Sequence, residues 1–264
     1  RVRKKLQKRE KRYETEQLMK EKRSEEYEAL EEVFDRSTLM VIYDFLNKGT
    51  INEIHGVVRA GKESRIYWGK DKQGNELAIK IYLTLSAEFR KGMLKYIEGD
   101  PRFKGLQHDT RSIIFAWATK EFKNLELART ANVRVPKPIT VKNNVLVMEF
   151  IGEDGVSAPS MKEAPPKNPT KTYETLLTYL KKLYSKAQLV HGDLSEYNII
   201  LNPNMHILII DWPQYVTKEH PNSQPLLTRD VKNVLQYFRR KYTLKVKLKQ
   251  ALTYVTGTDK IIIF

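Results

Sequence analysis

The sequence predicts an α+β fold in two lobes, β-rich in the N-terminal half and α-rich in the C-terminal half. Three observations carry that expectation. Short runs rich in β-branched and aromatic residues crowd the chain between Ile51 and Phe150. A stretch punctuated by glycine and proline, Ile151 to Pro169, then breaks the pattern. Beyond it apolar residues recur at helical spacing, first Tyr173, Leu176, Leu177, Leu180, Leu183 and Tyr184, then Val231, Val234, Leu235 and Phe238. With 264 residues the chain is long enough for two modest lobes, each with its own core.

Taken in order, residues 1–48 read as a basic helical extension, dense in Lys and Arg from Arg1 to Arg23, with Tyr27, Leu30, Val33 and Phe34 as a narrow apolar stripe. Ser37 or Thr38 can cap a helix, Thr38 to Asn47, that Gly49 ends. The N-lobe, residues 49–150, opens with strands at Ile51 to Val58, Ser64 to Trp68 and Leu77 to Leu83, the last two separated by a turn at Gln73-Gly74-Asn75. A helix around Ile113 to Thr130, a bend at Pro136 to Pro138, a turn at Asn143-Asn144 and a strand from Val145 to Phe150 complete it. Residues 151–264 form the hinge and C-lobe: Ile151 to Gly155 and the proline-rich Ala158 to Pro169 as hinge and linker, the helix carrying Tyr173, a strand Ile207 to Ile210, and a helix Arg229 to Tyr242. Lys260 to Phe264 can be a strand or a helix end.

The chemistry sits in a few residues. Lys80 interrupts the apolar run Leu77 to Tyr82, which aims a cation from a strand into a cleft. His191-Gly192-Asp193 follows the first C-lobe helix, Asn198 stands five residues on, and Asp211 emerges from the strand Ile207 to Ile210. That order suits transfer of a nucleotide's terminal phosphoryl group: a lysine on the phosphates, an aspartate orienting the attacking hydroxyl, and two oxygen ligands for Mg²⁺, which rarely has an all-protein cage. The helix partner for Lys80 is Glu121 or Glu126, with Glu121 favoured. Between the first two strands, Gly61 permits a close backbone approach to phosphate, to which Lys62 or Ser64 can add a contact. In a kinase-like reading Met148 would sit beside the purine, with the Glu149 to Ile151 backbone bonding it; His191 is read as a structural brace of its loop.

The net charge of +15 and the clusters at Arg1 to Arg23 and Arg239 to Lys249 suit binding to a nucleic-acid phosphate backbone, although neither cluster interleaves aromatics for base stacking. The absence of cysteine excludes disulfides, thiolate metal sites and cysteine nucleophiles. No apolar run approaches a membrane span and no secretory leader pattern is present, so no membrane partner and a cytoplasmic location are expected.

Several segments together are similar to the Rio family of atypical serine kinases: Gly61-Lys62-Glu63, Ala78 to Tyr82, the insertion Phe89 to Phe103, Glu121 to Leu125, Met148 to Gly152, His191 to Asn198, and Arg229-Asp230. The likeness spans about residues 50 to 240, and the Gly-Lys-Glu loop and the insertion resemble the first subfamily. The resemblance implies a trimmed two-lobed kinase fold without an activation loop. It further implies ATP with Mg²⁺ (or Mn²⁺), Lys80 on the α- and β-phosphates, Asp193 as base, and Asn198 and Asp211 on metal. It also implies that Asp211 can accept a phosphoryl group, so that turnover resembles an ATPase, and a role in maturing the small ribosomal subunit with its precursor particle, its rRNA, and a protein acceptor or the kinase itself as partners. Two positions depart from the pattern: Arg59-Ala60 replaces two hydroxyl residues before Gly61, and Asp211-Trp212-Pro213 replaces Asp-Phe-Gly, with proline stiffening the turn. Two other readings compete, a small-molecule phosphotransferase similar to aminoglycoside or choline kinases, and a ribosome-binding scaffold without turnover. The basic charge opposes the former, and the joint presence of Lys80, Asp193, Asn198 and Asp211 opposes the latter.

Overall fold

The computed structural model describes residues 30, 32–83, 87–98, 100–107, 109–201 and 206–257. The basic cluster Arg1 to Arg23, Tyr27 and the segment Lys260 to Phe264 lie outside the described residues. The helix α1 (Arg36–Asn47) begins two residues before the expected Thr38, because Asp35 rather than Ser37 or Thr38 is the N-cap: its carboxylate accepts the Thr38 N–H at 2.8 Å. Gly49 then takes a φ of 71°, where a side chain would be strained.

A five-stranded antiparallel sheet follows, in the order β1-β2-β3-β5-β4. Its strands are β1 (Glu53–Ala60), β2 (Ser64–Lys70), β3 (Glu76–Tyr82), β4 (Pro138–Lys142) and β5 (Val145–Glu149). β1 starts later and ends later than its apolar residues suggested, and β4 forms where a proline bend alone was expected; Pro138 is tolerated as the first residue of an edge strand. β1 carries two register shifts against β2, between Ile54 and Val57 and between Val57 and Arg59.

The period of two along β3 sorts its residues onto two faces. Leu77, Ile79 and Ile81, with Val145 and Val147, pack under Val41, Ile42 and Phe45 of α1, and Leu30 and Phe34 of the expected stripe join them while Val33 stays exposed. Ala78, Lys80 and Tyr82 face the other way, with Leu146 and Met148, onto α3 (Thr110–Thr130) and the second lobe. α3 starts at the N-cap Asp109, whose carboxylate accepts the Arg111 and Ser112 N–H groups. Between sheet and α3 the insertion folds as α2 (Ala87–Ile97) and a short 3₁₀ turn, Pro101–Phe103.

The segment read as an irregular hinge is partly ordered as a hairpin, β6 (Gly152–Glu153) with β7 (Val156–Ser157), whose turn residues Asp154 and Gly155 both have positive φ. The C-lobe is α4 (Pro169–Lys182), capped by Asn168 and running into a π turn over Leu183–Ala187, then α5 (Ser223–Tyr242) and α6 (Leu248–Thr256). α5 begins six residues before the expected Arg229, and α6 had no counterpart in the sequence reading. Two small ladders sit between α4 and α5: β9 (Ile199–Leu201) with β10 (Ile207–Ile209), and β8 (Leu189–Val190) with β11 (Val216–Thr217). They bring the chemistry together. The first ladder extends to a bond from the Ile210 N–H to the Asn198 carbonyl at 2.9 Å, which sets Asn198 beside the start of the Asp211 loop. The second pins the two residues preceding His191 against those following Tyr215.

Candidate active site

A cleft of about 630 Å³ opens between the sheet and the C-lobe, floored by Ile66, Ala78 and Met148 from above and Ile200 and Ile210 from below. Gly61, Lys62, Glu63 and Ser64 line its outer side, Glu149 and Ile151 its hinge, and Lys80, Glu121 and Asp211 its inner end. Nearly all the residues expected at the site therefore share one cavity; Asp193 and Asn198 lie next to it on the loop that follows β8.

At the inner end Lys80 Nζ lies 2.9 Å from the Glu121 carboxylate and 3.4 Å from Asp211 Oδ1. Glu126, the other candidate partner, is exposed on the opposite side of α3. Glu121 has no exposed carboxylate oxygen to spare: it accepts from Lys80, from the Tyr82 hydroxyl and, at 3.3 Å, from the Trp212 N–H. Burial works to lower the Lys80 pKa, and Glu121 and then Asp211 outweigh it, so the ammonium is held charged above its ordinary value. Burial likewise opposes ionisation of Asp211, and Lys80 overcomes it, keeping that carboxyl below the usual range. Asp211 has a φ of 67°, a left-handed conformation that costs a residue with a Cβ about 1 kcal/mol and so requires surrounding contacts to hold it.

The loop after β8 is braced from inside. His191 is fully buried, tilted against the stacked pair Tyr215 (4.2 Å) and Trp212 (5.6 Å), and its Nδ1 accepts the Asp193 N–H at 3.2 Å. Desolvation pulls its pKa down to about 3, so the ring is neutral and structural, as expected. Gly192 takes a φ of 81° and passes so close to the Gln214 carbonyl that a Cβ would lie 3.3 Å from it. Asp230 of α5 is fully buried and accepts the Gly192 and Leu194 N–H groups at 2.7 and 2.9 Å, tying the loop to the helix. The Asp193 side chain projects outward, half-exposed, with Arg229 at 3.9 Å; burial raises its pKa, Arg229 opposes that rise, and Asp211 adds to it. Asn198 is held on both sides, Nδ2 donating to the Asp193 carbonyl at 2.7 Å and Oδ1 accepting the Ser195 N–H at 2.8 Å.

At the hinge the Glu149 and Phe150 N–H groups are already bonded to the Lys137 and Glu76 carbonyls, and the Ile151 carbonyl accepts from Ala158. Among the amides of the Glu149 to Ile151 segment, that of Ile151 is the one left for a ligand. Glu63 is a cleft residue that was quoted in a motif without a role; burial and then Asp211 raise its pKa. Tyr82, Lys120 and Asn124 bond the residues around the site from behind, Tyr82 at Glu121 and the other two at the backbone after Asp211, and none was given a role from the sequence.

A cleft between a five-stranded sheet and a helical lobe, with a strand lysine held by a helix glutamate and facing a loop aspartate, defines an atypical protein kinase. Comparisons with known proteins agree: residues 65–251 match the RIO domain, and the chain belongs to the RIO family of serine/threonine protein kinases. It is 41% identical over 222 residues to the RIO-type serine/threonine-protein kinase Rio1 of Haloferax volcanii, covering 84% of this chain and 76% of that one. It is 39% identical over 249 residues to the protein of the same name from Methanocaldococcus jannaschii, covering 94% and 84%. The human serine/threonine-protein kinase RIO1 is 34% identical over 231 residues, which span 86% of this chain but 40% of that longer protein. The crystal structure of the Rio2 kinase-ADP/Mg²⁺-phosphoaspartate complex from Chaetomium thermophilum shares the fold, with a TM-score of 0.61 at 22% identity over 83% of this chain and 66% of that one.

Proposed function

We propose that the protein is an ATP- and divalent-metal-dependent serine/threonine kinase, with a turnover that includes ATP hydrolysis, acting in maturation of the small ribosomal subunit. The observation that carries the reading is the Lys80 ammonium held between Glu121 and Asp211 at the inner end of the cleft. Lys80 would engage the α- and β-phosphates, since the ammonium is already charged and directed there. Gly61, Lys62 and Ser64 would cover the phosphates from the outer side, and Met148 with the Glu149 to Ile151 backbone would hold the purine, the Ile151 N–H being the available donor. Asp193 would orient the acceptor hydroxyl and take its proton as the bond to phosphorus forms.

The donor set suits Mg²⁺, with Mn²⁺ as a substitute. Asp211 offers an ionised carboxylate, 46% exposed towards the cleft, and Asn198 Oδ1 retains a second lone pair beside the one used by Ser195. Among the described residues no cluster of three His, Cys, Asp or Glu side chains could hold a metal alone, which suits an ion completed by phosphate oxygens and water. When bound, the metal neutralises the charge developing on the transferred phosphoryl group. Asp211, ionised and open to the cleft, would also receive that phosphoryl itself, as the likeness to the RIO family implies, and its hydrolysis would give the ATPase output. Precursor particles of the small subunit, their rRNA, and a protein acceptor or the kinase itself are the proposed partners, supported by the net charge of +15. No described helix is long and apolar enough to cross a membrane.

The test is Mg²⁺-dependent hydrolysis of γ-labelled ATP by the wild type and Asp193→Ala, with and without small-subunit precursor particles. Asp193→Ala is expected to abolish turnover and to leave ATP binding within a few-fold, because an orienting base acts mainly in the transition state. Normal turnover by Asp193→Ala would show that the loop is misassigned.

A further inference from the structure

Three of the four residues after Asp211 are fastened by their backbone to one face of α3. The Trp212 N–H donates to Glu121, the Trp212 carbonyl accepts from Asn124 Nδ2 at 3.1 Å, and Lys120 Nζ donates to the Pro213 carbonyl at 3.2 Å and to the Tyr215 carbonyl. The remaining carbonyl, that of Gln214, lies against Gly192. Lys120 is fully buried and makes no ion pair among the described residues; burial first, and Arg102 nearby, pull its pKa down to about 7. A methionine would fill the same volume without the cost of desolvating a cation, so what the lysine adds is its two bonds to those carbonyls.

Asn124 is held in one orientation from outside the helix. Its Oδ1 accepts from Arg102 Nη1 at 2.9 Å, so its Nδ2 must face the Trp212 carbonyl. Arg102 is clamped in turn by Asp100, whose carboxylate accepts from Nε at 2.9 Å and from Nη2 at 2.7 Å. Burial works to raise the Asp100 pKa and Arg102 outweighs it, so the clamp is an ionised pair. A line of direct bonds thus runs from the insertion, through Asp100, Arg102 and Asn124, to the residue next to Asp211.

We propose that Lys120, Asn124 and, through Asn124, the Asp100–Arg102 pair are positioning residues that hold Asp211 in its left-handed conformation at the metal and phosphate site. The inference rests on the reading of Asp211 as a metal ligand. None of the four touches the cleft contents; they act on the backbone that carries the Asp211 carboxylate. The insertion is thereby part of the catalytic apparatus, because its 3₁₀ turn supplies the Arg102 end of the line. Asp211 pays for its backbone conformation only if the segment behind it cannot rotate, and Lys120 and Asn124 occupy the three carbonyls through which it would be released.

The experiment uses the full chain and ADP as the probe, titrated by calorimetry at a series of MgCl₂ concentrations and without Mg²⁺, for the wild type, Lys120→Met, Arg102→Gln and Asp211→Ala, with melting temperatures measured in parallel. Lys120→Met and Arg102→Gln are expected to raise the Mg²⁺ concentration for half-maximal enhancement of ADP affinity at least threefold, while ADP affinity without Mg²⁺ stays within twofold. A purely structural role would lower the melting temperature and leave the Mg²⁺ dependence unmoved. Arg102 is partly exposed on a surface turn, so Arg102→Gln decides the matter even if Lys120→Met does not fold. A wild-type Mg²⁺ response in Arg102→Gln, with the response lost in Asp211→Ala, overturns the inference and leaves the metal-site reading standing. An Asp211→Ala protein that keeps the wild-type response overturns the metal-site reading, and the inference falls with it.

Discussion

Replacing Glu121 by alanine removes the acceptor on which three donors converge, and the structure sets the size of the effect. The Tyr82 hydroxyl and the Trp212 N–H, both buried, lose their partner, and each orphaned neutral donor costs about 1–3 kcal/mol. The Lys80 ammonium, 6% exposed, keeps Asp211 at 3.4 Å but loses its nearer partner at 2.9 Å. Breaking a buried ion pair by removing one member typically costs about 3–5 kcal/mol, and the retained Asp211 contact places that part near its lower bound, about 3 kcal/mol; with the two orphaned donors at their lower bounds the expectation is about 5 kcal/mol. For a chain of this size that corresponds to a fall in melting temperature of roughly 10–20 °C. Thermal unfolding followed by far-ultraviolet circular dichroism reads it directly. Glu126→Gln serves as the comparison, since that side chain is exposed and should change stability by less than about 0.5 kcal/mol. A Glu121→Ala protein that melts within about 2 °C of the wild type, or a Glu126→Gln protein that loses as much, would refute the convergence of donors on Glu121.

Two further expectations concern the loop behind Asp193. His191 has a folded pKa of about 3 against an ordinary 6.5, so between those values the unfolded chain binds a proton that the native state refuses. The contribution of His191 to stability is then full above about pH 6.5 and falls as the pH drops, by about 2 kcal/mol between pH 7 and pH 5, and the difference in urea-unfolding free energy between the wild type and His191→Phe should change by that amount over the range. Gly192→Ala combines a left-handed φ of 81° with a Cβ 3.3 Å from the Gln214 carbonyl and is expected to cost about 1–2 kcal/mol, read as a lower urea midpoint at unchanged m-value.

The parts of the site legible from sequence are those whose residue types recur within a few positions of one another. Asp193 and Asn198 share one loop, Asp211 ends the run Ile207 to Ile210, and Lys80 breaks the alternation of β3; each needs only local spacing to be seen. Glu121 was legible as one of two acids on a helix, and the structure chooses it because Glu126 lies on the solvent side. Lys120 and Asn124 were not legible, since what they bind is backbone about ninety residues away, and a carbonyl leaves no residue type to read; Arg102 was not, since its partners are the side chains of Asp100 and Asn124 and its link to the site runs only through Asn124. The hairpin of β6 and β7 was hidden by the same glycines that make its turn, and α6 by the lysines around it, although Ala251 and Val255 on its inner face are buried. β4 escaped because Pro138 was read as a bend rather than as the first residue of an edge strand.

The two register shifts in β1 bear on how the protein behaves at high concentration. β1 is one edge of the five-stranded sheet, and an edge of regular pleat offers its free amides and carbonyls to any passing chain. By inserting extra residues against β2 at Val57 and again before Arg59, the strand twists and breaks its outward ladder into short unmatched pieces. The opposite edge, β4, is short and opens with Pro138, which has no amide hydrogen to donate. A sheet ended in this way resists strand-to-strand association between copies, so the lobe above the cleft can carry five strands without becoming a template for aggregation.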